Sequence, residues 1–323
     1  KFTNKNIKKH YISLNSRGIS IIDEIRTFFQ LYRIYRSLNS SLVFHFTIKP
    51  NIYGSIICRI LSIKSISFIT GIGHTFIHKN ILQKIIILLY RFSLSKVNEI
   101  WFTNKADKIL FDDLNITRKN KTKIVPGAGI EAPEKIEGYE HNEKKIFLMV
   151  SRLQKEKGVM EYLKCSEKYK DNPDVTFMLI GDSIPSDPSS ININQIKPYI
   201  DNNSIIYKEY QENILEYMKV ASCIVLPSYR EGMSTVLLEA SMMKRPIITT
   251  NVPGCIDIIK DQSYGVLCEA RSELSLMYAV NIFLNLEQKK IFEMVEKTFD
   301  YVNRNFSKKI VLTEYKNSLQ HIK

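Results

Sequence analysis

Two glutamates, Glu231 and Glu239, stand with seven residues between them in the stretch Ser228-Tyr229-Arg230-Glu231-Gly232-Met233-Ser234-Thr235-Val236-Leu237-Leu238-Glu239. Carboxylates accept paired hydrogen bonds from sugar hydroxyls, so two at this spacing can bracket an elongated polar ligand, one near each end. Gly232 permits a tight turn and Ser234 can cap a helix beginning at Thr235. The first N–H groups of such a helix, those of Thr235 and Val236 among them, have no partner within it and form an anion site. A second group lies upstream in Ser151-Arg152-Leu153-Gln154-Lys155-Glu156-Lys157-Gly158. Arg152 offers a bidentate fork for phosphate and Lys157 a point charge. On their own, two loop cations are more simply a solvated surface.

Strands must deliver these residues to one place. From Ile21 the apolar pattern alternates between helix and strand. Ile25, Phe28, Phe29, Tyr32 and Tyr35 fall at helical spacing, and strands are expected at 42–46, 66–70, 99–103 and 123–126. Pro50 suits the first turn of a helix, where its missing N–H costs nothing. A helix is expected over about 80–95. The charged, Pro- and Gly-containing stretch 131–144 reads as a linker. Strands at 146–150, 176–180, 204–207, 224–227 and 246–250 then alternate with helices, and only helices follow Glu273. The pattern predicts an α/β protein of two Rossmann-like domains facing one another across a cleft. Residues 1–130 make the first domain, 131–144 the linker, 145–305 the second domain and 306–323 a C-terminal helix. In such sheets ligands bind beyond the carboxyl ends of the strands, where both groups fall.

Composition narrows the function class. Hydrophobic residues make up 44% and charged residues 24% of the 323, which excludes disorder as the main state. The five cysteines form no C-x-x-C pair, which argues against a disulfide scaffold or a cysteine-based zinc site and fits a reducing cytoplasm. No apolar run approaches the roughly 18–20 residues that span a bilayer. The net charge of +13 is segregated: residues 1–138 hold 22 Lys and Arg against 9 Asp and Glu, whereas residues 139–323 hold 24 of each. Such a one-sided basic surface attracts polyanions: nucleic acid, an anionic membrane or a phosphate-bearing substrate.

The order of these motifs resembles that of the family-4 retaining glycosyltransferases, of the GT-B fold. The likeness rests on Glu231-Gly232 through Glu239-Ala240, on Ser151-Arg152-Leu153 with Lys157-Gly158, on Gly181-Asp182, and on Pro246 with Asn251-Val252-Pro253-Gly254-Cys255. Thr47 through Gly54 and Thr70-Gly71-Ile72-Gly73 are similar to bacterial surface-polysaccharide enzymes that extend a polyprenyl-diphosphate-linked sugar. The resemblance implies a UDP-sugar donor clamped at its diphosphate by Arg152 and Lys157. Glu231 would contact the donor sugar, Glu239 the ribose, and the N–H groups of Thr235 and Val236 the phosphates. Retention would follow a front-face route without a protein nucleophile. His74 and Lys49, each just past a strand of the first domain, are the acceptor-side candidates; His74 also stands with Glu231, Arg152 and Lys157 as a catalytic candidate. The family opens with a strand and a glycine-rich loop, so about 40–60 residues, one βα unit, are expected before Lys1.

No D-x-D triplet occurs, so the leaving diphosphate is expected to be held by cations and a helix terminus, with no cofactor and no metal. The run Ile81 to Phe92 is apolar nearly all round, interrupted by Lys84 and Arg91. It reads either as a core helix or as a segment lying on an anionic membrane surface. The latter would put the protein in the cytoplasm, peripheral on the inner face of the cell membrane. Two rivals change the activity: an epimerase or hydrolase of the same fold, which needs no acceptor, and a nucleic-acid-binding protein, which leaves Glu231 and Glu239 without a task.

Overall fold

A computed structural model describes residues 7–13, 20–72, 76, 81–117, 120–133, 138–139, 143–185 and 187–322. The chain divides into two compact units, residues 1–125 with 316–323, and residues 126–315.

In the first unit, helix α1 (Ile21–Leu38) starts where the Ser20 hydroxyl accepts the Asp23 N–H at 3.4 Å and ends at Asn39 in the left-handed conformation. Strands β1 (Leu42–Phe46), β2 (Lys64–Ile69), β3 (Glu99–Phe102) and β4 (Lys121–Ile124) form a parallel sheet in sequence order. Helices α2 (Ile48–Ile60), α3 (Ile81–Ser93) and α4 (Lys105–Asp113) make the crossovers. Pro50 occupies the first turn of α2, as its chemistry predicts. β4 begins two residues earlier than expected and stops at Ile124, because Pro126 has no N–H to continue a ladder.

The helix α3 is neither buried all round nor detached. Ile86, Ile87 and Tyr90 pack on the core formed by Ile69, Ile100, Phe102 and Phe111. Ile81, Ile85, Leu88 and Phe92 are exposed, Leu88 by 61% and Phe92 by 57%. Arg91 donates from Nε to the Leu114 carbonyl at 2.9 Å, and the Arg59 guanidinium lies 5.1 Å from the Phe92 ring centre. Among the described residues no helix is long and apolar enough to cross a membrane.

The second unit holds β5 (Lys145–Val150), α5 (Val159–Glu167), β6 (Val175–Ile180), α6 (Ile193–Asp201) and β7 (Ile206–Lys208). Then come α7 (Ile214–Val220), β8 (Cys223–Leu226), α8 (Thr235–Met242), β9 (Ile247–Thr250) and β10 (Val266–Cys268). Helices α9 (Glu273–Leu284), α10 (Gln288–Asn305) and α11 (Lys308–Ile322) complete the chain. All six strands are parallel, in the order β10-β9-β8-β5-β6-β7. Alternate residues of β5 feed two cores: Phe147 and Met149 pack with Tyr162 and Phe177 on one face, Leu148 with Ile224 and Leu237 on the other. Burial on both faces explains why β8 reads Cys-Ile-Val-Leu without alternation. β10 is not among the strands expected from the sequence, whereas the equally short β7 is. The described part of 131–144 forms no helix or strand; Arg245 ties it down by donating to the Gly138 carbonyl at 2.9 Å.

A buried polar cluster lies between β1 and α2. The His45 ring stacks on Tyr35 at 6.0 Å between centres, and Nδ1 lies 3.4 Å from the Ser55 hydroxyl. A Cβ on Gly54 would sit 2.4 Å from its Nε2, so the helix makes room for the imidazole. Burial lowers the His45 pKa to about 4. The unfolded chain, with a histidine pKa of about 6.5, therefore takes up that proton first. The contribution to stability is complete above about pH 6.5 and is lost as pH falls toward 4. Chemical unfolding at pH 7 and pH 4.5 should show this loss in the wild type and a smaller one in His45→Gln. Equal pH slopes would show that His45 is not its source.

Candidate active site

The strand order of the second unit turns back between β5 and β8. Connections from β5 lead away on one side and those from β8 on the other, which leaves a crevice at their carboxyl ends. The two loops that open onto it are 151–158 and 227–234.

The first loop is braced from behind. Leu153 N–H donates to the Asp182 carbonyl at 2.9 Å and Lys155 N–H to the Ser189 carbonyl at 2.9 Å. The Gln154 amide donates to the Asp187 carboxylate, both residues buried. A 3-10 turn over Lys155–Lys157 ends at Gly158, whose φ of +74° is left-handed. A Cβ on Gly158 would lie 2.1 Å from the Pro227 carbonyl oxygen. Only glycine fits both the angle and the gap, and this close approach brings the start of α5 against the end of β8. Arg152 is exposed on the same loop.

In the second loop, Ser228 is fully buried and its hydroxyl donates to Glu231 Oε1 at 2.6 Å. Lys157 Nζ reaches the same oxygen at 2.6 Å. Glu231 N–H donates to the Pro253 carbonyl at 3.1 Å, and a Cβ on Gly254 (φ +81°) would meet the Glu231 carbonyl oxygen at 2.4 Å. Tyr229 joins the two loops, with its N–H on the Glu156 carbonyl at 2.8 Å and its hydroxyl donating to Glu161 at 2.6 Å. Burial, and then that bond, push the Tyr229 phenol well up. Gly232 lies in the bend between Glu231 and Ser234. Ser234 caps α8 by accepting the Leu237 N–H at 3.4 Å. The N–H groups of Thr235 and Val236 remain on the first turn, where the helix dipole favours an anion. One turn further along, Glu239 is half-buried and its carboxylate hydrogen-bonds to no described protein group; burial raises its pKa.

Arg152, Lys157, Glu231, Gly232 and Ser234 thus lie on the two loops that follow β5 and β8, and Thr235, Val236 and Glu239 on the helix α8 that continues the second of them. Lys49 belongs to the first unit, where it pairs with the Glu24 carboxylate, which also accepts the Tyr53 hydroxyl at 2.6 Å. His74 lies outside the described residues. The sequence reading gave no role to Ser228, although it stands three residues before Glu231. It assigned Lys157 and Glu231 to different parts of a ligand, whereas within the chain they hold each other. Among the described residues no group of three or more His, Cys, Asp or Glu is placed to hold a metal ion.

Comparison with known proteins supplies the family and the fold. The profile of the family described as glycosyl transferases group 1 matches residues 132–298. The chain is 22% identical over 285 residues to an N,N'-diacetylbacillosaminyl-diphospho-undecaprenol alpha-1,3-N-acetylgalactosaminyltransferase of Campylobacter jejuni, covering 83% of this chain and 74% of that protein. It is 22% identical over 317 residues to a UDP-Gal:alpha-D-GlcNAc-diphosphoundecaprenol alpha-1,3-galactosyltransferase of Escherichia coli, covering 92% of this chain and 79% of that one. Among solved structures, Anabaena Alr3699/HepE in complex with UDP superposes with a TM-score of 0.76 at 14% identity, covering 90% of this chain and 82% of that one. At such identity the likeness shows the fold, which is GT-B. The matched region holds every residue of the crevice, and the chain belongs to the glycosyl transferases group 1 family: it is a glycosyltransferase.

Proposed function

We propose that this glycosyltransferase moves a hexose or N-acetylhexosamine, with retention, from a UDP-sugar to a polyprenyl-diphosphate-linked sugar in bacterial surface-polysaccharide assembly. The observation that carries the reading is the pairing of Lys157 with Glu231 beside the capped start of α8, at the turning point of the sheet. Cations and open N–H groups suit a diphosphate, and the two carboxylates suit the hydroxyls on either side of it. The two relatives are named for undecaprenyl-diphosphate-linked acceptors, and one of them for a UDP-Gal donor.

In this reaction the bond from the sugar C1 to the diphosphate oxygen breaks as the acceptor oxygen bonds to C1 from the same face. The acceptor proton passes to the leaving phosphate oxygen. Lys157, Arg152 and the N–H groups of Thr235 and Val236 take up the charge that develops there, which is where electrostatic catalysis acts. Glu231 orients the donor sugar and Glu239 the ribose. In the first unit, Lys49 and His74 serve the acceptor, and the outward face of α3 meets an anionic membrane surface. Leu88 and Phe92 would enter the lipid boundary beside Arg59 and Lys84, and each cation near such a surface contributes about 1 kcal/mol.

Transfer to a short polyprenyl-diphosphate sugar, assayed over a panel of UDP-sugars, tests the assignment. One donor should give a product only when acceptor is present; turnover of donor alone would favour an epimerase or hydrolase. Glu239→Gln should lower kcat/KM at least about tenfold, or 1.4 kcal/mol of barrier, and near-normal kinetics would remove Glu239 from the site. Transfer should survive excess chelator, since Arg152, Lys157 and α8 supply the positive potential; a strict need for added magnesium or manganese would refute this. In vesicle flotation the protein should bind anionic vesicles more than neutral ones, less so at high salt. Leu88→Glu with Phe92→Glu should abolish that binding while leaving thermal stability intact, because both side chains are exposed. Unchanged flotation would assign the membrane contact elsewhere.

A further inference from the structure

Within the chain, the two charges that a nucleotide-sugar needs are spent on each other. Lys157 Nζ and the Ser228 hydroxyl both contact Glu231 Oε1, each at 2.6 Å. The Glu231 side chain is only 9% exposed and that of Lys157 20%. Oε2 of Glu231 has no described protein partner. A ligand carrying both diphosphate and sugar replaces the pair with two new contacts, phosphate on Lys157 and hydroxyls on Glu231. A nucleoside diphosphate alone takes Lys157 and returns nothing to Glu231. The carboxylate is then left mostly buried, on one hydroxyl and close to additional negative charge, which is the costly way to break an ion pair.

We propose that the Lys157–Glu231 pair makes the site discriminate against the nucleoside diphosphate product in favour of the intact nucleotide-sugar. The inference rests on the donor-site reading and adds a specificity element to it. The pair lets the sugar contribute twice, once by its hydroxyl contacts and once by relieving the cost of parting Lys157 from Glu231. Selectivity of this kind comes from penalising the wrong ligand as much as from rewarding the right one. Loss of the sugar in the reaction restores the penalty, so the pair also favours release of the spent nucleotide.

Calorimetric titration of the full chain at one salt concentration tests this, with UDP alone and with the UDP-sugar accepted in transfer. Glu231→Gln keeps an oxygen for Ser228 and removes the charge. It should bind UDP at least threefold more tightly than the wild type and the UDP-sugar more weakly, so that the preference between them narrows or reverses. Glu231→Ala, a second variant in case the first folds poorly, should move UDP affinity in the same direction. In a Lys157→Met background Glu231→Gln should no longer tighten UDP; this cycle separates the pair from plain repulsion between Glu231 and the diphosphate. Tightening that persists without Lys157, or UDP binding that is unchanged or weaker in Glu231→Gln, overturns the proposal. If the wild type binds neither ligand, the donor-site reading fails and takes the proposal with it. If it binds both and the variants do not respond, only the proposal fails.

Discussion

The reversal of strand order between β5 and β8 is the constraint on which the rest depends. Neighbouring parallel strands whose connections leave in opposite directions cannot cover their own carboxyl ends, so a crevice is built into the topology. What the topology leaves open is how closely the two loops approach. Here the contact is backbone to backbone: Gly158 lies against the Pro227 carbonyl, with no space for even a methyl group. That contact sets the reach of Lys157, one residue before Gly158, toward Glu231, four residues after Pro227. A lysine and a glutamate far apart in sequence meet because a glycine lets two main chains touch.

A carboxylate so largely enclosed needs partners, since an unpaired buried charge costs several kcal/mol. The fold supplies them in layers. Ser228 and Lys157 share Oε1, Pro253 fixes the Glu231 N–H, and Gly254 permits the close packing of its carbonyl. Thr250 in turn holds the Ser228 carbonyl at 2.5 Å. Strands β8 and β9 therefore cooperate in placing one side chain. Glu239 is treated differently: half-buried on α8, its carboxylate has no described protein partner and a raised pKa. One carboxylate is positioned by the protein, while the other makes no described protein contact.

Much of this was legible in the sequence, for identifiable reasons. Strands buried on both faces announce themselves as apolar runs, so β5, β6, β8 and β9 were found within a residue or two of their ends. The crevice loops were found because turn chemistry and charge coincide there, as at Gly232 and Ser234. What stayed hidden depends on contacts distant along the chain. Nothing local in Ser228 reveals a buried hydroxyl aimed at Glu231, and nothing in Lys157 reveals a partner 74 residues on. The α3 sequence permits both a core and a surface reading, and only packing shows that Ile86 and Tyr90 face inward while Leu88 and Phe92 face out. Nothing local to Lys49 reveals its ion pair with Glu24 on a different helix.

All five cysteines, Cys58, Cys165, Cys223, Cys255 and Cys268, are buried as free thiols. Burial raises every one of them, to about 12 for Cys58, Cys165, Cys255 and Cys268. The reactive form of a cysteine is the thiolate, and at neutral pH the folded chain offers almost none. Thiol-directed oxidants and alkylating reagents thus find no reactive sulfhydryl for as long as the chain stays folded. Reactivity appears only when a unit opens, and Cys58 lies in one unit while the other four lie in the second. The order in which the thiols become reactive is therefore a record of which unit opened first, written into the chain by the placement of its own sulfur atoms.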